Sequence, residues 1–204
     1  IGGLESGELP DLENGVTRGE FVKLLAKLLN IDCSVKSEER YYVDINENEE
    51  LWDITAQLVK SGILTVPADR CFRPDDIILH SEAACALLKG YGAGKLEYEM
   101  YTTVASSMEL LDGVSYGYLS YKDVINLLYN ALVGYPLTYT ANGLAPGSRT
   151  LMEIQYDMFY TKGVVNAVNH SVIDGENAVR IDGIRVGDLK IACDIDDPYQ
   201  YLGK

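Results

Sequence analysis

The chain has 204 residues, of which 47% are apolar, and its 17 Lys and Arg residues against 31 Asp and Glu residues give a net charge of −14. This length and apolar content predict one large or two small folded domains. The acidic charge repels phosphate, and no stretch rich in Lys or Arg interrupts it, so nucleic acids and anionic membranes are poor partners. No apolar run approaches the roughly 18 residues of a membrane span, so we expect no membrane insertion. The chain begins with Ile1, which indicates a processed or cut chain and leaves its compartment open.

Helical periodicity covers the first two thirds of the chain. Apolar residues recur at helical spacing from Val16 to about Leu29, and Thr17 with Glu20 forms a capping box at the start of this helix. Further helices are predicted at 51–61, 81–89, 97–111 and 120–134, the last starting at a second capping box of Ser120 and Asp123. The expected helix stops are Asn30, Ser61-Gly62, Gly90 and Gly113.

The pattern changes after Gly134. Pro and Gly residues punctuate 136–150, which we interpret as a linker. Alternation of apolar and polar residues then predicts a strand at Met152, Ile154 and Tyr156, another over 163–173, and a hairpin over 179–186 that turns at Asp182-Gly183. The second domain is therefore a small antiparallel β unit at 151–204. Its last segment, 194–203, has no obvious closing strand, so we expect the unit to be truncated or completed by further chain.

Three helix starts share one sequence plan, with an acid at the same place in each. These starts are 16–21, 78–83 and 119–124, and the shared acids are Glu20, Glu82 and Asp123. The stretch that leads to the second start is the longest repeat unit. It carries Tyr42-Val43-Asp44-Ile45, then Trp52 on a helix, then a Gly62-Ile63 turn and a Phe72-Arg73-Pro74-Asp75 loop.

These motifs resemble the S-layer homology (SLH) family, whose repeats run as an F-x-D-V opening, a Trp-bearing helix, a Gly-Ile turn, an F-x-P loop and a helix opened by T-R-A-E. The resemblance covers a half repeat at 16–31, a repeat at 42–90 and a degenerate repeat at 97–134 that lacks the F-x-P loop. It implies an α+β chain in which an N-terminal all-α domain, 1–135, packs helical repeats about a pseudo-threefold axis. The β unit that follows is similar, more weakly, to the segment after such repeats in surface proteins of clostridia-like bacteria.

The resemblance implies a non-enzymatic extracellular protein, associated with the cell wall or S-layer, that binds a pyruvylated secondary cell-wall polysaccharide or a peptidoglycan-linked polymer non-covalently. The binding Arg of the family matches Arg18, framed by Thr17 and Glu20. A guanidinium suits a carboxylate, since such a charge-assisted hydrogen bond contributes about 1.5–3 kcal/mol. The other repeats have His80 and Tyr121 at this position, so at most one site in three keeps its permanent cation. The predicted ligand-binding residues are Arg18, Thr17, Glu20, the helix residue Trp52, and His80.

The same residues also fit a second function. With Arg18 in a surface ion pair and Trp52 in the core, the repeats would serve as a structural module, or as an interaction module for other surface proteins, that has lost polysaccharide binding. Exposure of Arg18 and His80 in one open groove favours the polysaccharide, whereas burial or pairing of both favours the module.

We predict no metal, no cofactor and no catalytic residue. The segment Asp44-x-Asn46-x-Asn48 is similar to the start of a calcium loop, but Glu49 replaces the required Gly and Thr55 the required Glu. No fingerprint of a nucleophile elbow, zinc protease, P-loop or dinucleotide-binding fold occurs.

The four cysteines form neither a CxxC metal motif nor a dense disulfide framework, and their spacing leaves any pairing open. We predict that they serve as small apolar residues, most clearly Cys85, which lies within an apolar helical pattern. The four are Cys33, Cys71, Cys85 and Cys193.

Overall fold

A computed structural model of the chain describes residues 11–46, 49–159, 163–168, 172–173, 176–177, 183–187, 189–192 and 197–203. The chain divides into two compact units, the first ending at Phe159 and the second beginning at residue 160. Together the helices and the small antiparallel sheets make this an α+β protein, as predicted. Within the described residues, no helix has the length and apolar character needed to cross a membrane. The first unit contains α1 (Arg18–Leu28), α2 (Glu50–Lys60), α3 (His80–Gly90), α4 (Met100–Ser107), α5 (Tyr121–Val133), β1 (Leu137–Thr140), β2 (Gly143–Pro146) and α6 (Leu151–Tyr156).

The predicted capping boxes at the starts of α1 and α5 are confirmed. Thr17 accepts the backbone N–H of Glu20 at 3.2 Å, and the Glu20 carboxylate accepts the N–H of Thr17 at 2.8 Å. Ser120 and Asp123 repeat this exchange at α5. At α3 the residue before the helix is Leu79, which has no hydroxyl, so only Glu82 acts, accepting the Leu79 N–H at 3.1 Å. Each cap satisfies amide groups that the first helical turn leaves unpaired.

The helices α1, α2, α3 and α4 each end in the same turn, which contains one residue in the left-handed conformation. The residue that follows it donates its backbone N–H to the carbonyl oxygen five positions earlier. The stops at Asn30 and Gly62 are confirmed. The predicted stops at Gly90 and Gly113 are wrong, since the left-handed residues are Gly92 and Glu109. Leu110 donates to the Ala105 carbonyl at 3.0 Å, which ends α4 earlier than the predicted 111.

Gly90 lies inside α3 for a packing reason. A Cβ on this glycine would lie 2.3 Å from a methyl group of Leu29, so any other residue here would require the Leu29 side chain to shift.

Residues 136–156 belong to the first unit and carry secondary structure that we did not predict. A β1–β2 hairpin replaces the linker, with Leu137 buried and donating to the Tyr91 carbonyl at 2.7 Å. The strand predicted at 152–156 is wrong, because α6 forms there behind a third capping box of Thr150 and Glu153. Its buried residue, Leu151, explains why a helix of six residues stays packed.

Three segments that each precede a helix are hydrogen-bonded to one another in a closed cycle, and they are 14–18, 76–80 and 117–121. Val16 donates to Leu119 at 2.9 Å, Leu119 donates to Ile78 at 3.0 Å, and Ile78 donates back to Val16 at 2.9 Å, backbone to backbone. We refer to these segments as the hydrogen-bonded ring. The three side chains lie in the core, exposed by 0% at Val16, 4% at Ile78 and 0% at Leu119.

A second set of bonds ties each helix start to the ring. The backbone N–H of the first helical residue donates to the neighbouring segment, from Arg18 to Asp76 at 2.8 Å, from His80 to Gly117 at 2.8 Å, and from Tyr121 to Asn14 at 3.0 Å. Gly117 has a φ of +101°, a conformation that residues with a side chain rarely adopt. The ring therefore sets the positions of three helix N-termini at once.

The second unit contains a three-stranded antiparallel sheet of β3 (Val165–Val168), β6 (Gly183–Val186) and β7 (Leu189–Ala192), in the order β3-β6-β7, and a two-stranded pair of β4 (Val172–Ile173) and β5 (Glu176–Asn177). The hairpin differs from the prediction: Gly183 begins β6, which pairs with β7 so that Val186 lies opposite Leu189. The predicted residues 179–182 lie outside the described residues, as do 169–171, 194–196 and Cys193. Gly203 donates to Val165 at 2.8 Å, so the last segment joins β3. This last segment contains a 3₁₀ helix (Pro198–Tyr201).

We expect Leu119→Ala to lower the free energy of unfolding of the first unit by about 2–5 kcal/mol, since it opens a cavity in the centre of the ring. Leu12→Ala removes the same atoms from a side chain that is 46% exposed and should cost less than about 0.5 kcal/mol. Trp52, the only tryptophan, lies in this core and reports the transition by its fluorescence in urea. Equal losses in the two variants would contradict the central position of Leu119.

Candidate functional site

The hydrogen-bonded ring places the first side chains of α1 and α5 beside the capping acid of another helix. Arg18 forms an ion pair with Glu82 through Nη1, and the Tyr121 hydroxyl donates to Glu20 at 2.5 Å. His80 departs from this pattern: its Nδ1 accepts the backbone N–H of Gly117 at 3.3 Å. The three corresponding positions therefore present a paired guanidinium, a paired phenol and an imidazole held by the backbone.

Arg18 is anchored on three sides. Its Nε donates to the Phe72 carbonyl at 2.8 Å, and its guanidinium carbon lies 5.2 Å from the centre of the Phe72 ring. With the Glu82 bond, these contacts use two of the five N–H groups of the guanidinium. The side chain remains 25% exposed, so the anchored guanidinium still reaches the surface.

A groove of about 480 Å³ runs past this guanidinium. We refer to it as the Arg18 groove. It brings a second guanidinium, Arg73, to the same surface together with Tyr118, whose side chain is 71% exposed. Arg73 is itself paired with Asp69. The groove is lined by Arg18, Arg73, Asp76, Ile77, Leu79, Glu82 and Tyr118.

A second groove, of about 500 Å³, lies between α3 and α4. We refer to it as the His80 groove. Tyr116 stacks on His80 here, with ring centres 4.2 Å apart and the planes tilted by 46°. Arg18 and His80 therefore line different grooves, and both are paired, Arg18 with Glu82 and His80 with the backbone of Gly117, which is the arrangement that favours the structural module. The His80 groove is lined by His80, Ser81, Thr102, Thr103, Ser106, Leu111, Val114, Ser115 and Tyr116.

The remaining predicted ligand residues, Thr17, Glu20 and Trp52, line neither groove. Thr17 and Glu20 are engaged in the capping box, and Glu20 also accepts the Tyr121 hydroxyl. Trp52 is 8% exposed, and its indole N–H donates to the Ser37 carbonyl at 2.8 Å. Trp52 therefore supports the core of the first unit and does not line either groove.

The hydrogen bond between the Tyr121 hydroxyl and the Glu20 carboxylate shifts the pKa of both side chains. Burial raises the pKa of Glu20, but hydrogen bonds from Tyr121 and Thr17 and the charge of Lys23 outweigh it, so the pKa lies below its ordinary value of 4.5. The same hydrogen bond, with burial, raises the pKa of Tyr121 to about 12. Both shifts favour the pair of a charged carboxylate and a neutral phenol at neutral pH.

Asp44, which opens the segment similar to a calcium loop, has a structural partner. Its carboxylate accepts the backbone N–H groups of Phe72 at 2.8 Å and Arg73 at 2.6 Å, which fastens the loop that carries Arg73. Within the described residues, no cluster of three His, Cys, Asp or Glu side chains is arranged to bind a metal ion. Cys33, Cys71 and Cys85 are free thiols.

Sequence reasoning did not identify Arg73, Tyr116 or Tyr118 as groove residues. Arg73 stands in the F-x-P loop, whose match to the family drew attention to its Phe and Pro. Tyr116 and Tyr118 precede the third helix start by a few residues and were indistinguishable from the other tyrosines, 15 in all.

No protein-family model matches the sequence, and comparison with curated proteins gives no significant match.

We expect Tyr121→Phe to destabilise the first unit by about 1–2 kcal/mol at pH 7, because it removes a hydrogen bond to a charged group. A lowered carboxyl pKa contributes stability above the ordinary value of 4.5 that is lost as the pH falls through the folded-state pKa. The difference between the wild type and the variant should therefore shrink towards pH 3 in urea titrations. Tyr118→Phe, at an exposed hydroxyl, is the matched control and should change nothing. A Tyr121→Phe effect that is constant from pH 7 to pH 3 would contradict the pairing.

Proposed function

We propose that this chain attaches a surface protein non-covalently to a bacterial cell wall by binding an anionic, pyruvylated secondary cell-wall polysaccharide in the Arg18 groove. The observation that carries the proposal is the presence of two guanidinium groups, Arg18 and Arg73, along one groove of a chain with a net charge of −14. Because Asp76 and Glu82 line the same groove, binding there depends on directed hydrogen bonds from the guanidinium groups and not on a net positive charge. In this account the protein is extracellular, associated with the cell wall or S-layer, and performs no catalysis.

The hydrogen-bonded ring supports an S-layer homology fold for the first unit. Its six backbone bonds join corresponding atoms of three segments, so a rotation that carries one segment onto the next carries donors onto donors and acceptors onto acceptors. This is the arrangement expected of three repeats about a pseudo-threefold axis. Each repeat contains one ring segment, in whole or in part. Segment 14–18 overlaps the half repeat at 16–31, segment 76–80 lies in the repeat at 42–90, and segment 117–121 lies in the repeat at 97–134.

The groove chemistry suits a sugar that carries a carboxylate. Arg18 has three N–H groups beyond its two bonds to the protein, and a guanidinium can donate two parallel bonds to a carboxylate. Tyr118 offers an exposed ring on which the C–H face of a pyranose can pack. The carboxylates of Asp76 and Glu82 line the same groove and can accept hydrogen bonds from sugar hydroxyls.

A second function is favoured by the pairing of both Arg18 with Glu82 and His80 with the backbone of Gly117. The ion pair joins α1 to α3 across 64 residues of sequence, which is the role of a structural strut. Under this alternative the chain is a structural or protein-interaction module of the cell surface, and the repeats only preserve packing.

Co-sedimentation with Gram-positive sacculi separates the two functions. We expect the purified chain to pellet with intact walls and to stay in solution with walls stripped of secondary polymer or freed of pyruvate ketals by mild acid. Arg73→Ala should weaken binding about tenfold, which corresponds to the loss of about 1.4 kcal/mol. Arg18→Ala should weaken it at least as much, with circular dichroism checking the fold.

Arg149→Ala is the matched control, because it removes the same charge from an exposed side chain outside both grooves. It should bind intact walls like the wild type. An absence of binding to intact pyruvylated walls, or equal losses in the Arg73 and Arg149 variants, would contradict the polysaccharide function and favour the structural module.

A further inference from the structure

The His80 groove differs from the Arg18 groove in charge. No Asp, Glu, Lys or Arg is among the residues that line it in the described part of the chain, although 24% of the whole chain is charged. The one imidazole of the groove is engaged by the backbone, since the Nδ1 of His80 accepts a hydrogen bond from the N–H of Gly117. Two grooves of similar volume thus lie in one unit, one lined by four Asp, Glu or Arg side chains and the other by no Asp, Glu, Lys or Arg.

Hydroxyl groups take the place of charges in the His80 groove. On α4, Thr102 and Ser106 are four residues apart and Thr103 and Ser106 three apart, so the three side chains share one face of the helix. None of these three hydroxyls bonds to another protein group in the part of the chain that the structure describes. Ser81 and Ser115 add two more hydroxyls across the groove.

Tyr116 supplies a flat apolar surface at the groove. Its side chain is 90% exposed, the largest exposure among the large apolar side chains described. It is nonetheless held in place, because its ring stacks on His80, which is itself fixed by the backbone N–H of Gly117. An aromatic face that is both exposed and positioned loses little conformational freedom when a ligand packs against it.

We propose that the His80 groove binds an uncharged pyranose unit, with one C–H face of the sugar against Tyr116 and its hydroxyls bonded to the Thr and Ser hydroxyls of the groove. Hydroxyl groups donate and accept, which matches the hydroxyls of a neutral sugar. An anionic sugar meets no Lys or Arg among the lining residues described and is repelled by the net charge of the chain. The inference rests on the proposed sugar-binding function for its ligand class, and it assigns the neutral residues of a polymer to this groove and the charged ones to the Arg18 groove.

The test is a titration followed by ¹H–¹⁵N NMR, with the uncharged methyl glycosides of glucose, galactose, mannose and N-acetylglucosamine as probes. At least one should cause saturable shifts of the amides of Ser115, Tyr116 and Thr103. Tyr116→Ala should weaken this binding about tenfold or more, whereas Tyr116→Phe, which keeps the aromatic face, should stay within about threefold of the wild type. Tyr98→Ala is the matched control, an exposed tyrosine outside both grooves, and should leave the affinity unchanged. Methyl glucuronide should bind at least about fivefold more weakly than methyl glucoside.

Three results would overturn the inference: no shifts in the His80 groove with any neutral glycoside, shifts that survive Tyr116→Ala, or equal binding of the glucuronide. Its failure is distinguishable from failure of the proposed function, because wall co-sedimentation of the Arg18 and Arg73 variants reports on the Arg18 groove. Loss of wall binding in those variants with silent neutral glycosides would leave the proposed function standing and remove only the second site.

Discussion

The closed cycle of backbone hydrogen bonds among Val16, Ile78 and Leu119 is the constraint on which the first unit depends. These residues are up to 103 positions apart in sequence, yet each donates to one partner and accepts from the other. Their apolar side chains are buried together, so the amides lie where water cannot replace a lost partner. Breaking one contact would leave two buried backbone groups unsatisfied, which makes the three segments depend on one another.

The ring also determines which side chains meet at the surface. Because it sets the start of each helix, it brings the first side chain of one helix to the capping acid of another, as in the pairs of Arg18 with Glu82 and Tyr121 with Glu20. The same geometry with different residues produces different surfaces. The Arg18 groove keeps a guanidinium, whereas at the corresponding place in the His80 groove a histidine is turned to the backbone and carries a stacked tyrosine. The first unit thus carries one groove lined by charged side chains and one lined by hydroxyl groups.

Local signals in the sequence predicted the helix starts, and contacts distant in sequence decided the rest. The capping boxes of α1 and α5 depend on residues three positions apart, so they were visible in the sequence. The box of Thr150 and Glu153 has the same form, but apolar alternation over Met152, Ile154 and Tyr156 outweighed it, and a six-residue helix has little periodicity to oppose that alternation. The hairpin over 137–146 turns at Ala141-Asn142, next to an Asn142-Gly143 dipeptide whose turn signal the surrounding Pro and Gly residues concealed.

Arg18 was predicted as a site residue, but its partners were not, because the ion pair with Glu82 spans 64 residues and requires the ring. Alignment of the helix starts showed that Glu82 corresponds to Glu20, but it gave no indication that Glu82 pairs with Arg18.

The central claim is that the three segments form one cooperative ring, and native-state hydrogen exchange of the Val16, Ile78 and Leu119 amides tests it most directly. The account predicts that all three are among the slowest amides of the first unit and exchange with the same free energy, equal to that of global unfolding measured by Trp52 fluorescence. Exchange of one of these amides with a free energy well below that of the other two would show that its segment opens independently and would contradict the account.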